Sequence, residues 1–199
     1  MTLRPDAVEE IFRDTGAYLD GHFLLHSGRH SPRYLEKFQV LQWPRRTERL
    51  CAAIALAAQA LRPETVAGPT TGGIIVAHEV ARQLGTRAVY AERAETGGRE
   101  LRRGFELRRG ERVLVVDDIM STGGSVRETI DAIERSGGEV VGVAVLADRS
   151  DGRATFGAIP LIALWQVSIP TFAPEECRQC AQGAPLVKPG TTPAPVLPV

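Results

Sequence analysis

The stretch VLVVDDIMSTGGSVRETI, residues 113–130, constrains the fold of this chain more than any other. Val113, Leu114, Val115 and Val116 are apolar β-formers. They run directly into two adjacent carboxylates, Asp117 and Asp118, then into a Ser/Thr/Gly loop and a helix-like segment. Like charges side by side repel, and acids are costly at the end of a buried strand. A capped strand–turn–helix whose acids face solvent would explain the pattern without function. Two acids between an apolar run and a Ser/Thr/Gly loop are more specific than that, and they point to a ligand.

The rest of the chain sets this stretch in an α/β frame. Residues 6–15 read as a short amphipathic helix carrying Val8, Ile11 and Phe12, and a long helix is expected over 46–61. From there turns and helices alternate with short strands: TVAGPTTGG into a helix over 74–84, a strand over 88–91, a strand over 112–117 into a helix over 125–136, and a strand over 139–147. SGG at 136–138 is a good helix stop. The pattern implies a mostly parallel twisted sheet flanked by helices, with right-handed crossovers. Ligands in such sheets sit beyond the carboxyl ends of the strands, where both Gly-rich turns, 68–73 and 121–124, fall. The segment 21–35, GHFLLHSGRHSPRYL, suggests strands and turns in place of a helix. The chain divides into an N-terminal helix and hood over 1–40, a core over 41–170, and a CxxC segment with a Pro-rich tail over 171–199.

Composition excludes several function classes. Acidic and basic residues balance at 24 each, so no bulk field points to nucleic acid or an anionic membrane. No apolar run approaches membrane-span length; CAAIALAAQAL at 51–61 is short and Ala-rich and reads as a core helix. The N-terminus lacks the basic-then-apolar pattern of a signal peptide, and three cysteines without such a signal indicate a reducing cytoplasm. Arginine outnumbers lysine 22 to two (Lys37 and Lys188), which favours bidentate grip on carboxylates and phosphates, although genomic base composition or a hot habitat explains the same bias.

Residues 120–125, MSTGGS, join a strand to a helix. Their backbone N–H groups, their hydroxyls and the next helix N-terminus suit a phosphate, with Ser125 expected as N-cap. No GK[ST] or GxGxxG occurs. Acids three to eight residues before a phosphate loop suit a ligand that carries a phosphate and nearby hydroxyls, such as a 5-phosphorylated ribose. They also suit Mg2+ brought in by a further phosphate group.

VLVVDDIMSTGGS resembles the phosphoribosyl-diphosphate signature of type I phosphoribosyltransferases. GHFLLHSGRHSPRYL, AGPTTGG and VLADRS (145–150) narrow the resemblance to the orotate members of that family. It implies a type I phosphoribosyltransferase fold and a Mg2+-dependent transfer of ribose 5-phosphate to orotate with loss of diphosphate, in pyrimidine biosynthesis. In the family pattern Asp117 and Asp118 hold the ribose hydroxyls. Ile119, Met120, Ser121, Thr122, Gly123, Gly124 and Ser125 surround the 5-phosphate, and the 68–73 turn, with Thr71 and Gly72, faces the diphosphate. His26, Arg33, Tyr34, Ser121 and Arg149 lie on the orotate side. Arg149 also reads as a surface ion-pair partner of Asp148 or Asp151.

The chain departs from the family at three places. His26 and Gly72 stand where lysines are frequent, and the loop ERAETGGRELRRG (92–104) lacks the usual lysines and histidine. Arg93, Arg99, Arg102 and Arg103 are the candidates to supply that charge from a mobile loop. The resemblance further implies a homodimer in which residues 93–104 act in the neighbour's site. A purine phosphoribosyltransferase, or a phosphoribosyl-diphosphate-sensing regulator, are the alternative readings. Cys177 and Cys180 form half a zinc site that needs histidine ligands or a second copy. His22, His26 and His30 read as surface or substrate-side residues, and Trp165 as core before ligand platform.

Overall fold

The computed structural model describes residues 3–25 and 27–189. His26 and residues 190–199, which carry most of the expected Pro-rich tail, lie outside the described residues. In chain order the elements are α1 (Pro5–Asp14), β1 (Tyr18–Leu24), β2 (His30–Leu35), α2 (Lys37–Leu41), α3 (Pro44–Ala58), β3 (Thr65–Pro69), α4 (Gly72–Leu84), β4 (Arg87–Arg93), β5 (Arg99–Leu101), β6 (Arg112–Met120), α5 (Gly124–Arg135), β7 (Glu139–Asp148), β8 (Leu161–Gln166) and α6 (Arg178–Ala181). One 3-10 turn follows α3 at Gln59–Leu61, and another precedes α6 at Pro174–Glu176. Among the described residues no helix is long and apolar enough to cross a membrane.

Six strands form the central sheet in the order β5-β4-β3-β6-β7-β8. Every neighbouring pair is parallel except β4–β5, an antiparallel hairpin at one edge. The apolar run of β6 is buried on both faces because side chains alternate along a strand. Leu114 and Val116 join the core under α1, α3 and α4, while Val113 and Val115 join the core under α5. Trp165 sits in the first core, 5.4 Å from the Phe12 ring and 5.2 Å from Tyr18, and serves packing. Through Phe12, Ile11 and Val8, helix α1 belongs to that same core.

Three local expectations shift. The long helix starts at Pro44, where the missing N–H costs nothing, and its last turn tightens to a 3-10 turn ending at left-handed Arg62. Strand β6 continues past Val116 to Met120 because β7 pairs with it as far as Asp148. The segment expected as a mobile loop over 93–104 folds back as strand β5, with a tight turn in which Gly97 and Ala94 donate to Ala94 and Gly98 carbonyls. Leu101 and Phe105 pack on the α5-side core and supply the apolar anchor that the charged sequence obscures.

The hood is the antiparallel β1–β2 hairpin, with a register shift between Asp20 and Phe23. A two-stranded hairpin is marginal alone. Here the chain after β8 returns and pairs with both its edges: Phe172 exchanges backbone hydrogen bonds with His30, and Val187 bridges His22 and Leu24.

Candidate active site

The carboxyl end of β6 brings the two acids out of the core, and both remain buried, with Asp117 8% and Asp118 1% exposed. Their carboxylates diverge. Asp117 accepts from the Asp118 N–H at 2.9 Å and lines a cavity of about 130 Å³ shared with residues 119–126. Asp118 accepts from the Ile119 N–H at 2.5 Å, and its other oxygen lies 3.3 Å from Lys37 Nζ without an aligned hydrogen bond. Burial, with the Asp118 charge added, pushes the Asp117 carboxyl up to about 7. Burial also raises Asp118, and Lys37 offsets only part of that. The site therefore holds acceptors that lack donors.

Beyond β6 the loop 121–123 turns into α5 through Gly123, whose φ of 77° is left-handed backbone that a side chain disfavours. Ser125 is the second residue of the helix and not its cap; the cap position is Gly123, and Thr122 Oγ1 accepts a long hydrogen bond of 3.4 Å from the Gly124 N–H. The first N–H groups of a twelve-residue helix thus lie at the cavity with the positive end of its dipole, an arrangement suited to a phosphate. Ser121 and Thr122 are exposed at the loop. Ile119 and Met120 are strand residues whose side chains pack in the two cores, and they line the cavity from the end of β6.

The second turn, 69–71, lies between β3 and α4, with exposed Thr71 at the helix cap position and no side-chain cap there. Gly72 explains itself by proximity: a Cβ at this position would stand 1.8 Å from Asp118 Oδ2. A side chain at 72 is incompatible with the acid as placed, and the positive charge beside Asp118 comes from Lys37 in α2. Sequence reasoning missed Lys37; its signal was a lysine kept in a chain that otherwise uses arginine.

The four arginines of the β4–β5 hairpin separate sharply. Arg99 is 3% exposed. It donates to Thr70 Oγ1 at 3.0 Å and to the Ala91 carbonyl at 3.1 Å, reaches Ser125 Oγ at 3.5 Å, and pairs with Glu128 at 3.4 Å. Burial lowers its pKa while Glu128 opposes that shift. It braces the 68–73 turn against the start of α5. Arg103 holds Glu92 with two hydrogen bonds of 2.8 and 3.0 Å, Arg102 pairs with Glu100, and Arg93 is exposed at the end of β4.

On the hood side, Arg149 ends β7 with its N–H donating to the Met120 carbonyl at 2.9 Å. Burial lowers its pKa, with Tyr34 opposing. Burial raises Tyr34, with Glu36 adding and Arg149 opposing. Arg149 forms no ion pair with Asp148 or Asp151: Asp148 accepts from the Ser150 N–H, and Asp151 is taken by Arg153 at 3.2 Å. The Arg33 side chain turns the other way, to Asp20 at 3.1 Å and over the Tyr18 ring. His26 is outside the described residues. A wider cleft of about 600 Å³ opens at the amino ends of the strands, but its charges are committed to one another. Although burial favours a raised value there, hydrogen bonds from Thr65 and the Arg108 backbone, with the Arg87 charge, hold Glu111 at about 2.

With this geometry in view, residues 39–156 match the phosphoribosyl transferase domain model. The chain belongs to the phosphoribosyltransferase family. It is 50% identical over 186 residues to an orotate phosphoribosyltransferase of Desulforamulus reducens, covering 94% of this chain and 96% of that one. A relative of the same name from Caldicellulosiruptor bescii is 47% identical over 189 residues, covering 95% and 98%. The solved orotate phosphoribosyltransferase of Aeropyrum pernix superposes with a TM-score of 0.69 at 25% identity, over 80% of this chain and 93% of that one.

In this phosphoribosyltransferase the acid pair gives a stability signature. Both folded-state pKa values lie above the ordinary carboxylate value, so the charge penalty is absent below about pH 4 and grows as pH rises to about 7. Asp117→Asn keeps the acceptor for the Asp118 N–H and removes a charge. The ligand-free variant is expected to melt roughly 2–8 °C above the parent at pH 8, with the difference vanishing near pH 4. Equal melting temperatures at pH 8 would mean that the pair carries no charge penalty.

Proposed function

We propose that this phosphoribosyltransferase transfers ribose 5-phosphate from 5-phosphoribosyl 1-diphosphate to orotate, giving orotidine 5′-phosphate and diphosphate in pyrimidine biosynthesis. The observation that carries the reading is Arg149, a half-buried guanidinium just beyond β7 that forms no ion pair with a carboxylate. Orotate carries the carboxylate that such a fork takes. The near-full-length likeness to proteins of that name supports it.

The residues divide the work as follows. The backbone N–H groups of 121–125 and the α5 N-terminus take the 5-phosphate. The acceptor-rich Asp117 and Asp118 receive the ribose hydroxyls, and the 68–73 turn, braced by Arg99, receives the diphosphate. An orotate nitrogen forms a bond to the anomeric carbon as the bond from that carbon to the diphosphate oxygen breaks. The sugar passes through an oxocarbenium-like state like that of glycoside cleavage. The nucleophile is the substrate anion, so positioning and charge neutralisation carry the rate. The two buried acids, with an Asp118 oxygen that makes no hydrogen bond, fit a Mg2+ ion held by them and the substrate, which would neutralise the leaving diphosphate. The chemistry suits the cytoplasm.

Orotate should be consumed only when phosphoribosyl diphosphate and Mg2+ are both present, followed by ultraviolet absorbance beside a panel of purine bases. Turnover of a purine with orotate inert would replace this reading with the purine one. Within the orotate reading, Arg149→Ala should raise the KM for orotate by on the order of 10–100-fold, more than that for phosphoribosyl diphosphate. A rise confined to phosphoribosyl diphosphate would move Arg149 to the other substrate.

The protein acts as a homodimer in this reading, with the exposed Arg102 and Arg103 reaching the neighbour's site, while buried Arg99 serves its own. A variant with both Arg102 and Arg103 changed to Ala, and one with Asp117 and Asp118 changed to Asn, should each be nearly inactive. Mixed and reassembled, they should recover about a quarter of the parent activity, since half the dimers carry one intact site. No recovery, with heterodimers confirmed by mass, would put the arginines over their own site.

A further inference from the structure

Outside the catalytic site, four ligand-type side chains converge from two distant parts of the chain. His22 in β1, His30 in β2, and Cys177 and Cys180 at the start of α6 place one donor atom each within 4.8 Å of one another. The two histidines are 4% and 5% exposed and Cys177 is 4% exposed, so the reading of His22 and His30 as surface or substrate-side residues is corrected. The hairpin, with its register shift after Asp20, brings the two rings together edge to face.

We infer that His22, His30, Cys177 and Cys180 form a tetrahedral structural zinc site that fastens the hood to the C-terminal segment. His22 Nε2 lies 3.1 Å from His30 Nδ1, 3.3 Å from Cys177 Sγ and 3.6 Å from Cys180 Sγ, and Cys180 Sγ lies 3.2 Å from His30 Nδ1. A tetrahedral zinc with bonds of about 2.3 Å to sulfur and about 2.05 Å to nitrogen sets N···N near 3.3 Å and S···N near 3.6 Å. The donor set thus needs only a few tenths of an ångström of adjustment to close on the ion. Two thiolates and two neutral imidazoles cancel its charge, and a tetrahedral S2N2 set selects zinc over magnesium or calcium.

The outer contacts favour ligation. His22 Nδ1 is 3.0 Å from the Ala184 carbonyl, which fixes the N–H there and leaves the Nε2 lone pair facing the cluster. Gln179 Nε2 donates to the Gly21 carbonyl at 2.9 Å, holding α6 against β1. Both cysteines are free thiols, so no disulfide competes in this geometry. The ion would close loops of about 150 residues between hood and C-terminal segment, fixing two edges that otherwise rest on a few backbone bonds.

The test uses the untagged full-length protein, expressed with zinc in the medium and purified under reducing conditions. Elemental analysis should find about one zinc per chain, and cobalt exchanged into the protein should give the intense visible bands of a tetrahedral thiolate site. Cys180→Ser, at the most exposed of the four positions, should retain less than a tenth of the metal while its circular dichroism stays that of the parent. Strong chelation should lower the melting temperature by roughly 5–15 °C, recovered on adding zinc. Absence of stoichiometric zinc together with no tetrahedral cobalt spectrum would overturn the site, as would a Cys177–Cys180 disulfide in the freshly reduced protein. Complete metal removal with an unchanged melting temperature would overturn its fastening role.

Discussion

The structure depends on two carboxylates held out of water at the end of its central strand. A strand buried on both faces cannot end in ionised acids without cost, and the surroundings reduce that cost only in part. Asp118 has an ammonium 3.3 Å away and one backbone donor, and Asp117 has a single backbone donor. The elements around them keep this imbalance open. The turn into α4 omits a side chain at residue 72, helix α5 begins at a glycine cap, and Arg99 ties the two turns together from below. Any ligand that brings hydroxyl or cationic donors to the acids and an anion to the helix end relieves both deficits at once, so affinity is prepared in the empty protein.

Much of this was legible in the sequence because the determinants are local. The alternation of apolar strands with amphipathic helices located β3, α4, β6, α5 and β7 to within a few residues, and Gly-rich turns marked the functional edge of the sheet. What escaped depends on contacts between distant segments. Strand β6 runs through its acids because β7 pairs beside them, and no propensity reveals that. Ser125 has a capping side chain, but Gly123 already makes the turn two residues earlier. The charged 93–104 segment is folded down by two apolar anchors, Leu101 within it and Phe105 just after it. Arg99, Arg102 and Arg103 are the same residue type within five positions, yet Arg99 points inward from β5, while Arg102 and Arg103 lie past the strand's end at Leu101 and stay exposed. Lys37 reaches Asp118 across 81 residues of sequence, and His22 and His30 meet the cysteines across about 150.

The return of the chain to the hood also bears on how the molecule is made. Strands β1 and β2 precede the sheet in the chain, but their outer edges are completed by residues 172 and 187, which follow it. An isolated hairpin does not hold its shape, whereas the parallel sheet can assemble from segments already synthesised. Tyr34, carried on β2, therefore takes its fixed place only once the segment bearing Phe172 and Val187 has followed the sheet. The turns at 68–73 and 121–124 belong to the sheet and owe nothing to that segment, so the two halves of the site are completed at different stages of synthesis.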